Sequence, residues 1–199
     1  MTTSATAMLA LLEAEALGCV DCRLAEGRTK VVFGVGNPMA PLVFVGEGPG
    51  RDEDLAGEPF VGRSGRLLDQ LIAEELAMRR EDCYIANVVK CRPPNNRDPL
   101  PDEVAACHHF LADQLGAIAP KVVVTLGNFA ARALLHTTEG VTRLRGRSFA
   151  YGEALLVPTF HPAAALRGGG VVLAQMRADL VRAKHALAGG GVPGGTVKP

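Results

Sequence analysis

LVFVGEGPGRDEDLAGEPFVG, residues Leu42 to Gly62, joins a short apolar run to a glycine-rich, acidic loop. Leu42 to Val45 read as a strand buried on both faces. Gly46, Gly48 and Gly50 then turn the chain sharply, and Pro49 stiffens the turn. Glu47 sits inside the turn, and Asp52, Glu53 and Asp54 follow it. Ligands of open α/β sheets bind beyond the carboxyl ends of the strands, so the loop falls where a pocket is expected. It is not a dinucleotide fingerprint. The GxGxxG spacing is absent, Pro49 removes an amide that a pyrophosphate would use, and no P-loop lysine is present.

Outward from this loop, apolar and helical patterns alternate. Residues 5 to 17 read as a helix ending at Gly18, and a strand is expected near Lys30 to Phe33. Gly62 to Met78 carries a helical apolar face, and Cys83 to Val89 reads as the next strand. Lys90 to Pro101, KCRPPNNRDPLP, contains four prolines and cannot be regular structure throughout. Asp102 is expected to cap a helix running to Ile118. Lys121 to Leu126 and Leu155 to Pro158 read as strands, Phe129 to Leu135 and Val171 to Ala188 as helices. The alternation predicts an α/β fold, a three-layer α/β/α sandwich around a mainly parallel four-stranded sheet. One domain is expected over residues 1–188, with Gly189 to Pro199 a glycine-rich disordered tail.

Lys plus Arg and Asp plus Glu number 21 each in 199 residues, so net charge argues neither for nor against a polyanionic partner. Arginines do recur near the loops, at positions 63, 66, 92, 97, 143, 145, 147 and 167. No stretch is apolar enough to span a membrane, and the first helix lacks the basic flank of a signal peptide. The expected setting is cytoplasmic, where the five cysteines serve as thiols or metal ligands rather than disulfides. Cys19 and Cys22 form a CxxC pair; Cys91 and Cys107 come from the proline-rich loop and the helix after it. Four thiolates suit a tetrahedral zinc site or a [4Fe–4S] cluster, and spacing alone does not choose. Cys83, inside a strand, reads as core.

GEGPG, GEPFVGRSGRLLD, NVVKCRPPNNRDPLPDE with Cys107, and HPAAALR occur in that order. Together they closely resemble the family 4 uracil-DNA glycosylases, over Cys19 to about Arg182. The resemblance implies a [4Fe–4S] cluster on Cys19, Cys22, Cys91 and Cys107, structural rather than catalytic. It further implies a monomeric enzyme that flips uracil out of single- or double-stranded DNA and hydrolyses its N-glycosidic bond. By the same resemblance Phe60 stacks on the base, Asn87 reads its N3–H and O4, and His161 donates to O2. Glu47 orients the water beside Gly48 and Pro49, with Asp52 or Glu53 in reserve, while Leu166 and Arg167 contact DNA. The chain departs from the family pattern at Arg51, where an acidic residue is common, and at Ala163 to Ala165 in the HPSYLLR-like motif. GEGPG in place of GEQPG, with no basic insertion, argues against covalent capture of uracil. The competing reading is a non-catalytic iron–sulfur protein that binds uracil-containing or damaged DNA. A nucleotide-binding enzyme is weakened by the missing phosphate motifs.

Overall fold

The computed structural model describes residues 4–189. Its centre is four parallel strands: β2 (Leu42–Gly46), β3 (Tyr84–Asn87), β4 (Val122–Leu126) and β6 (Ala154–Thr159). Two short antiparallel strands, β1 (Val35–Gly36) and β5 (Phe149–Tyr151), extend the expected four to a six-stranded sheet in the order β1-β3-β2-β4-β6-β5. Chain order reverses about β2: β3 lies on one side of it and β4 on the other. That reversal opens a crevice at the carboxyl ends.

Side chains alternate across the strands, and each set meets its own helices. Val43, Val45, Ala86 and Val123 face α1 (Ala5–Gly18), α5 (Pro101–Ile118) and α6 (Asn128–Leu135). Leu42, Phe44, Ile85 and Val124 face α4 (Arg63–Leu71) and α8 (Pro162–Leu187). These are the three layers. Short helices α2 (Leu24–Gly27), α3 (Arg51–Ala56) and α7 (Val141–Leu144), with 3-10 turns at Arg80–Asp82 and Pro94–Asn96, lie between these elements.

Several local expectations are corrected. Lys30 to Phe33 is not a strand; Val32 N–H donates to Lys90 O at 2.8 Å, and the edge strand begins at Val35. The helix after the glycine loop is α4 followed by a π-turn, Ile72–Leu76, closed by Ala77 at φ 55°. Asp102 is not a cap: Pro101 opens α5, Glu103 accepts from Leu100 N–H at 2.8 Å, and Asp102 pairs with Arg23 on the surface. α8 starts at Pro162 rather than Val171 and breaks at Gly169, whose φ of 70° and ψ of −158° no helix accommodates. The expected disordered tail lies outside the described residues except for Gly189.

Asp179 of α8 ties that helix to the end of the sheet. Its carboxylate accepts from Thr159 Oγ1 at 2.9 Å, from Arg145 at 3.0 and 3.1 Å, and from Gly146 N–H at 3.1 Å. The aspartate is 1% exposed, so removing it strands a partly buried guanidinium and a buried hydroxyl. Asp179→Ala is expected to cost about 3 kcal/mol. Urea denaturation with an unchanged m-value measures it, and a loss near zero would mean that the clamp is dispensable.

Candidate functional site

The crevice is a cleft of about 650 Å³, lined from the carboxyl ends of all four parallel strands. Glu47 and Gly48 follow β2, Asn87 ends β3, Gly127 follows β4 and His161 follows β6. Six residues expected at one site from the sequence, Glu47, Gly48, Pro49, Phe60, Asn87 and His161, all line this cleft.

Phe60 is in the left-handed region at φ 55°, which a phenylalanine adopts only when its surroundings hold it there. Arg80 supplies one hold, donating to Pro59 O at 2.5 Å and Phe60 O at 3.3 Å while pairing with Asp69 at 2.8 Å. Gly65 supplies another: a Cβ there would stand 1.7 Å from Phe60 O, so α4 packs on the loop only with glycine. Glu53 supplies the third, accepting from Val61 and Gly62 N–H at 3.2 Å each. Glu53 therefore braces the loop from within the cleft. Asp54 is buried and accepts from Thr29 N–H at 2.8 Å.

Gly46 lets three groups meet. A Cβ on it would lie 2.4 Å from Asn87 Oδ1 and 2.7 Å from the Phe60 ring. Asn87 is 2% exposed, and its Oδ1 has no hydrogen-bond partner among the described residues. A buried acceptor left open costs about 1–3 kcal/mol, and this one lies near Phe60 in the lining of the cleft.

His161 caps α8, its Nδ1 accepting from Ala163 N–H at 3.1 Å. The proton therefore sits on Nε2. Burial, helped by Arg167 nearby and opposed by Glu53, pushes the imidazole down to about 4. The ring is neutral at physiological pH and lies 5.5 Å from the Phe60 ring, centroid to centroid. Gly127, at φ 98°, leaves room for it, since a Cβ there would approach His161 Cβ to 3.1 Å.

Glu47 is half-buried. Burial first, and then the neighbouring Asp98, lifts its carboxyl to about 7. Asp98 was not singled out from the sequence, because the proline-rich loop that carries it reads only as irregular. Arg132, Gly127 and Asn128 also line the cleft and were missed. The signal was a glycine directly after the buried strand β4, in TLGNFAAR. Among the expected basic residues, Arg97 and Arg167 line the cleft, and Leu166 is exposed on the first turns of α8. Arg97 and Arg145 are also held by carboxylates, Arg97 by the buried Glu103 at 2.6 and 2.8 Å.

Away from the cleft, Cys19, Cys22, Cys91 and Cys107 line one small cavity with Arg28 and Lys90. Lys90 N–H donates to Cys107 Sγ at 3.3 Å and Arg28 to Cys91 Sγ at 3.4 Å. Burial raises the Cys91 thiol, and lifts that of Cys107 to about 11. Among the described residues, no three cysteine, histidine or acidic side chains stand close enough to share one metal ion. Cys83 packs in the core on the other face of the sheet.

A carboxylate, an open amide and a neutral imidazole around an aromatic floor define a pocket for a flat, polar ring. Comparison with known proteins names the group. The uracil DNA glycosylase superfamily profile matches residues 33–182. Type-4 uracil-DNA glycosylases are similar along most of their length. That of Thermotoga maritima is 51% identical over 75% of this chain and 78% of its own. That of Archaeoglobus fulgidus is 48% identical over 76% and 80%, and that of Sulfurisphaera tokodaii 44% over 78% and 74%. The chain belongs to the uracil-DNA glycosylase superfamily, in its type-4 family.

The raised Glu47 carboxyl also has a consequence for stability. Unfolded, the group titrates near 4.5; folded, near 7. Between these values the native state holds a proton that the unfolded state has lost, so stability falls as pH rises through the window. Glu47→Gln is therefore expected to melt above the wild type at pH 8, with the difference vanishing near pH 4. Equal melting temperatures at pH 8 would show that the carboxylate is not buried at a cost.

Proposed function

We propose that this protein removes uracil from DNA by hydrolysing the N-glycosidic bond, leaving an abasic site, and that it acts as a cytoplasmic monomer on single- and double-stranded DNA. The observation that carries this reading is the open Asn87 Oδ1 beside Phe60. Uracil offers N3–H to that oxygen and O4 to the amide nitrogen, whereas cytosine presents the reverse pair. A mismatched base would leave buried polar groups unpaired, which is strongly disfavoured.

Duplex DNA hides the bond, so the nucleotide must leave the stack before it can enter the cleft. Breaking C1′–N1 sends the electron pair onto uracil, where charge gathers at O2, and leaves a cationic sugar. Neutral His161, with its proton on Nε2, is set to donate to O2. Ionised Glu47 stabilises the cation and takes a proton as water attacks C1′. Arg132 and Arg167 supply positive charge for phosphates at the rim. The alternative, a protein that binds uracil in DNA without cleaving, gives no role to a half-buried carboxylate beside Asp98.

The four-thiol cavity fits a [4Fe–4S] cluster on Cys19, Cys22, Cys91 and Cys107. Four soft donors line one cavity, and two of them receive N–H bonds. Such a group would join the N-terminal loop to the proline-rich segment and α5, a structural tie outside the cleft.

Incubation with a uracil-containing oligonucleotide followed by alkali is expected to yield strand breaks at uracil. The single-turnover rate should fall about tenfold per unit below pH 7 as Glu47 takes up its proton, and Asp98→Asn should move that limb to lower pH. Glu47→Gln should slow cleavage far more than it weakens DNA binding; an unchanged rate would pass the role to another carboxylate. His161→Ala should cost about 10²–10³ in rate.

Purified anaerobically, the protein is expected to hold iron and sulfide in about equal amounts, about four of each per chain. Cys91→Ser should lose them and Cys83→Ser should keep them. Stoichiometric zinc, or dependence on Cys83, would overturn the ligand set.

A further inference from the structure

The peptide between Asn87 and Val88 is pinned from both sides. Val88 N–H donates to Gly46 O at 2.9 Å, on the β2 side. In a trans peptide the carbonyl points the opposite way, so Asn87 O faces the β1 edge. β1 pairs with Tyr84 and Ile85 and reaches no further along β3. A side chain replaces the missing strand: Lys90 Nζ lies 2.8 Å from Asn87 O and 2.6 Å from Gln114 Oε1. Gln114 Nε2 in turn donates to Phe33 O at 3.0 Å and to the Tyr84 hydroxyl at 3.2 Å.

Lys90 and Gln114 are each 1% exposed. No carboxylate pairs with the lysine among the described residues; the Phe33 ring lies 5.8 Å from its amine. A buried amine without an acidic partner is costly, and an apolar chain of equal length would fill the same space without that cost. Lys90 also lines the four-thiol cavity, yet its amine makes its hydrogen bonds away from the thiols, and the group it holds accounts for where it points. That group is the backbone of the residue whose side chain faces the base.

We propose that Lys90 is a positioning residue for base recognition: braced by Gln114, its amine fixes the Asn87 peptide and so sets where the Asn87 amide meets uracil. This rests on the reading of Asn87 as the residue that contacts the base. Lys90 touches neither the substrate nor the cleft. Its own N–H bonds Cys107 Sγ, so one residue spans the thiol cavity and the base-reading strand.

A double-mutant cycle tests the assignment with free uracil as the probe, its affinity read as inhibition of cleavage. Lys90→Met should weaken uracil about tenfold, the equivalent of one hydrogen bond. Asn87→Ala should weaken it by as much or more, and the double variant should be no worse than Asn87→Ala alone. Affinity for DNA carrying an abasic analogue, which places no base in the pocket, should be unchanged by Lys90→Met. Gln114→Met should give a smaller loss that likewise disappears on the Asn87→Ala background, and it provides the cycle if Lys90→Met does not fold. Additive losses, or an equal loss of abasic-DNA binding, would make the lysine merely structural and overturn the proposal. If Asn87→Ala alone left uracil affinity intact, the base-reading role of Asn87 would fall first, and the clamp with it.

Discussion

Two backbone hydrogen bonds beyond the ends of the strands hold the two halves of the site together. Val88 N–H reaches Gly46 O, and Val89 N–H reaches Glu47 O at 3.1 Å. They continue the β2–β3 ladder into what would otherwise be two independent loops. The residue suited to reading the base and the residue suited to the sugar are thereby fixed relative to each other by backbone, with no flexible side chain between them. Close approach is the condition. Gly48 would drive a Cβ to 2.7 Å from the Val89 side chain, and Gly46 would collide with both Asn87 and Phe60. The glycines of GEGPG thus serve a tight junction of backbone and rings, which explains why a phosphate-binding spacing is absent.

The far wall of the cleft depends on a different device. β6 ends at Thr159, and the next two residues, Phe160 and His161, both line the cleft. Asp179 holds Thr159 from one side, and Arg145, held by the same aspartate, lies 5.7 Å from the Phe160 ring. His161 is then fixed by its own helix, since capping Ala163 orients the ring and selects its tautomer. A buried ion pair gives little net stability by itself. Here it orders the strand end from which the imidazole projects.

Much of this was legible in the sequence because it rests on local pattern. The four parallel strands are short apolar runs followed by turn residues, and six of the site residues sit at or just beyond strand ends or in the glycine loop. What escaped depends on tertiary contact. The edge strand at Val35 is two residues long and has no period to detect. The early start of α8 was hidden by three consecutive glycines, Gly168, Gly169 and Gly170, before Val171, yet only Gly169 breaks the helix. Asp98 becomes a neighbour of Glu47 only when the proline-rich segment folds over the cleft. Arg97 and Arg145 look like phosphate ligands in one dimension and prove to be held by Glu103 and Asp179. Lys90, in a run of loop residues, gives no sign that its side chain turns inward.

The electrostatics of the cleft fall into two parts with opposite tendencies. Burial drives Glu47 and His161 alike toward their neutral forms. For the imidazole this suits the chemistry, because a neutral donor can strengthen its bond as charge grows on the leaving base, whereas a cation would already be satisfied by water or phosphate. For the carboxylate it does not: the proposed role needs the anion, and among the described residues no cation pairs with it. Arg97, the guanidinium nearest in sequence to Asp98, is engaged by Glu103 instead. In the proposed reaction the Glu47 charge is best compensated when a cationic sugar forms beside it, so its stabilising interaction would be realised in the transition state rather than in the resting protein. A salt bridge to Glu47 would make the folded enzyme more stable and spend that interaction in the ground state.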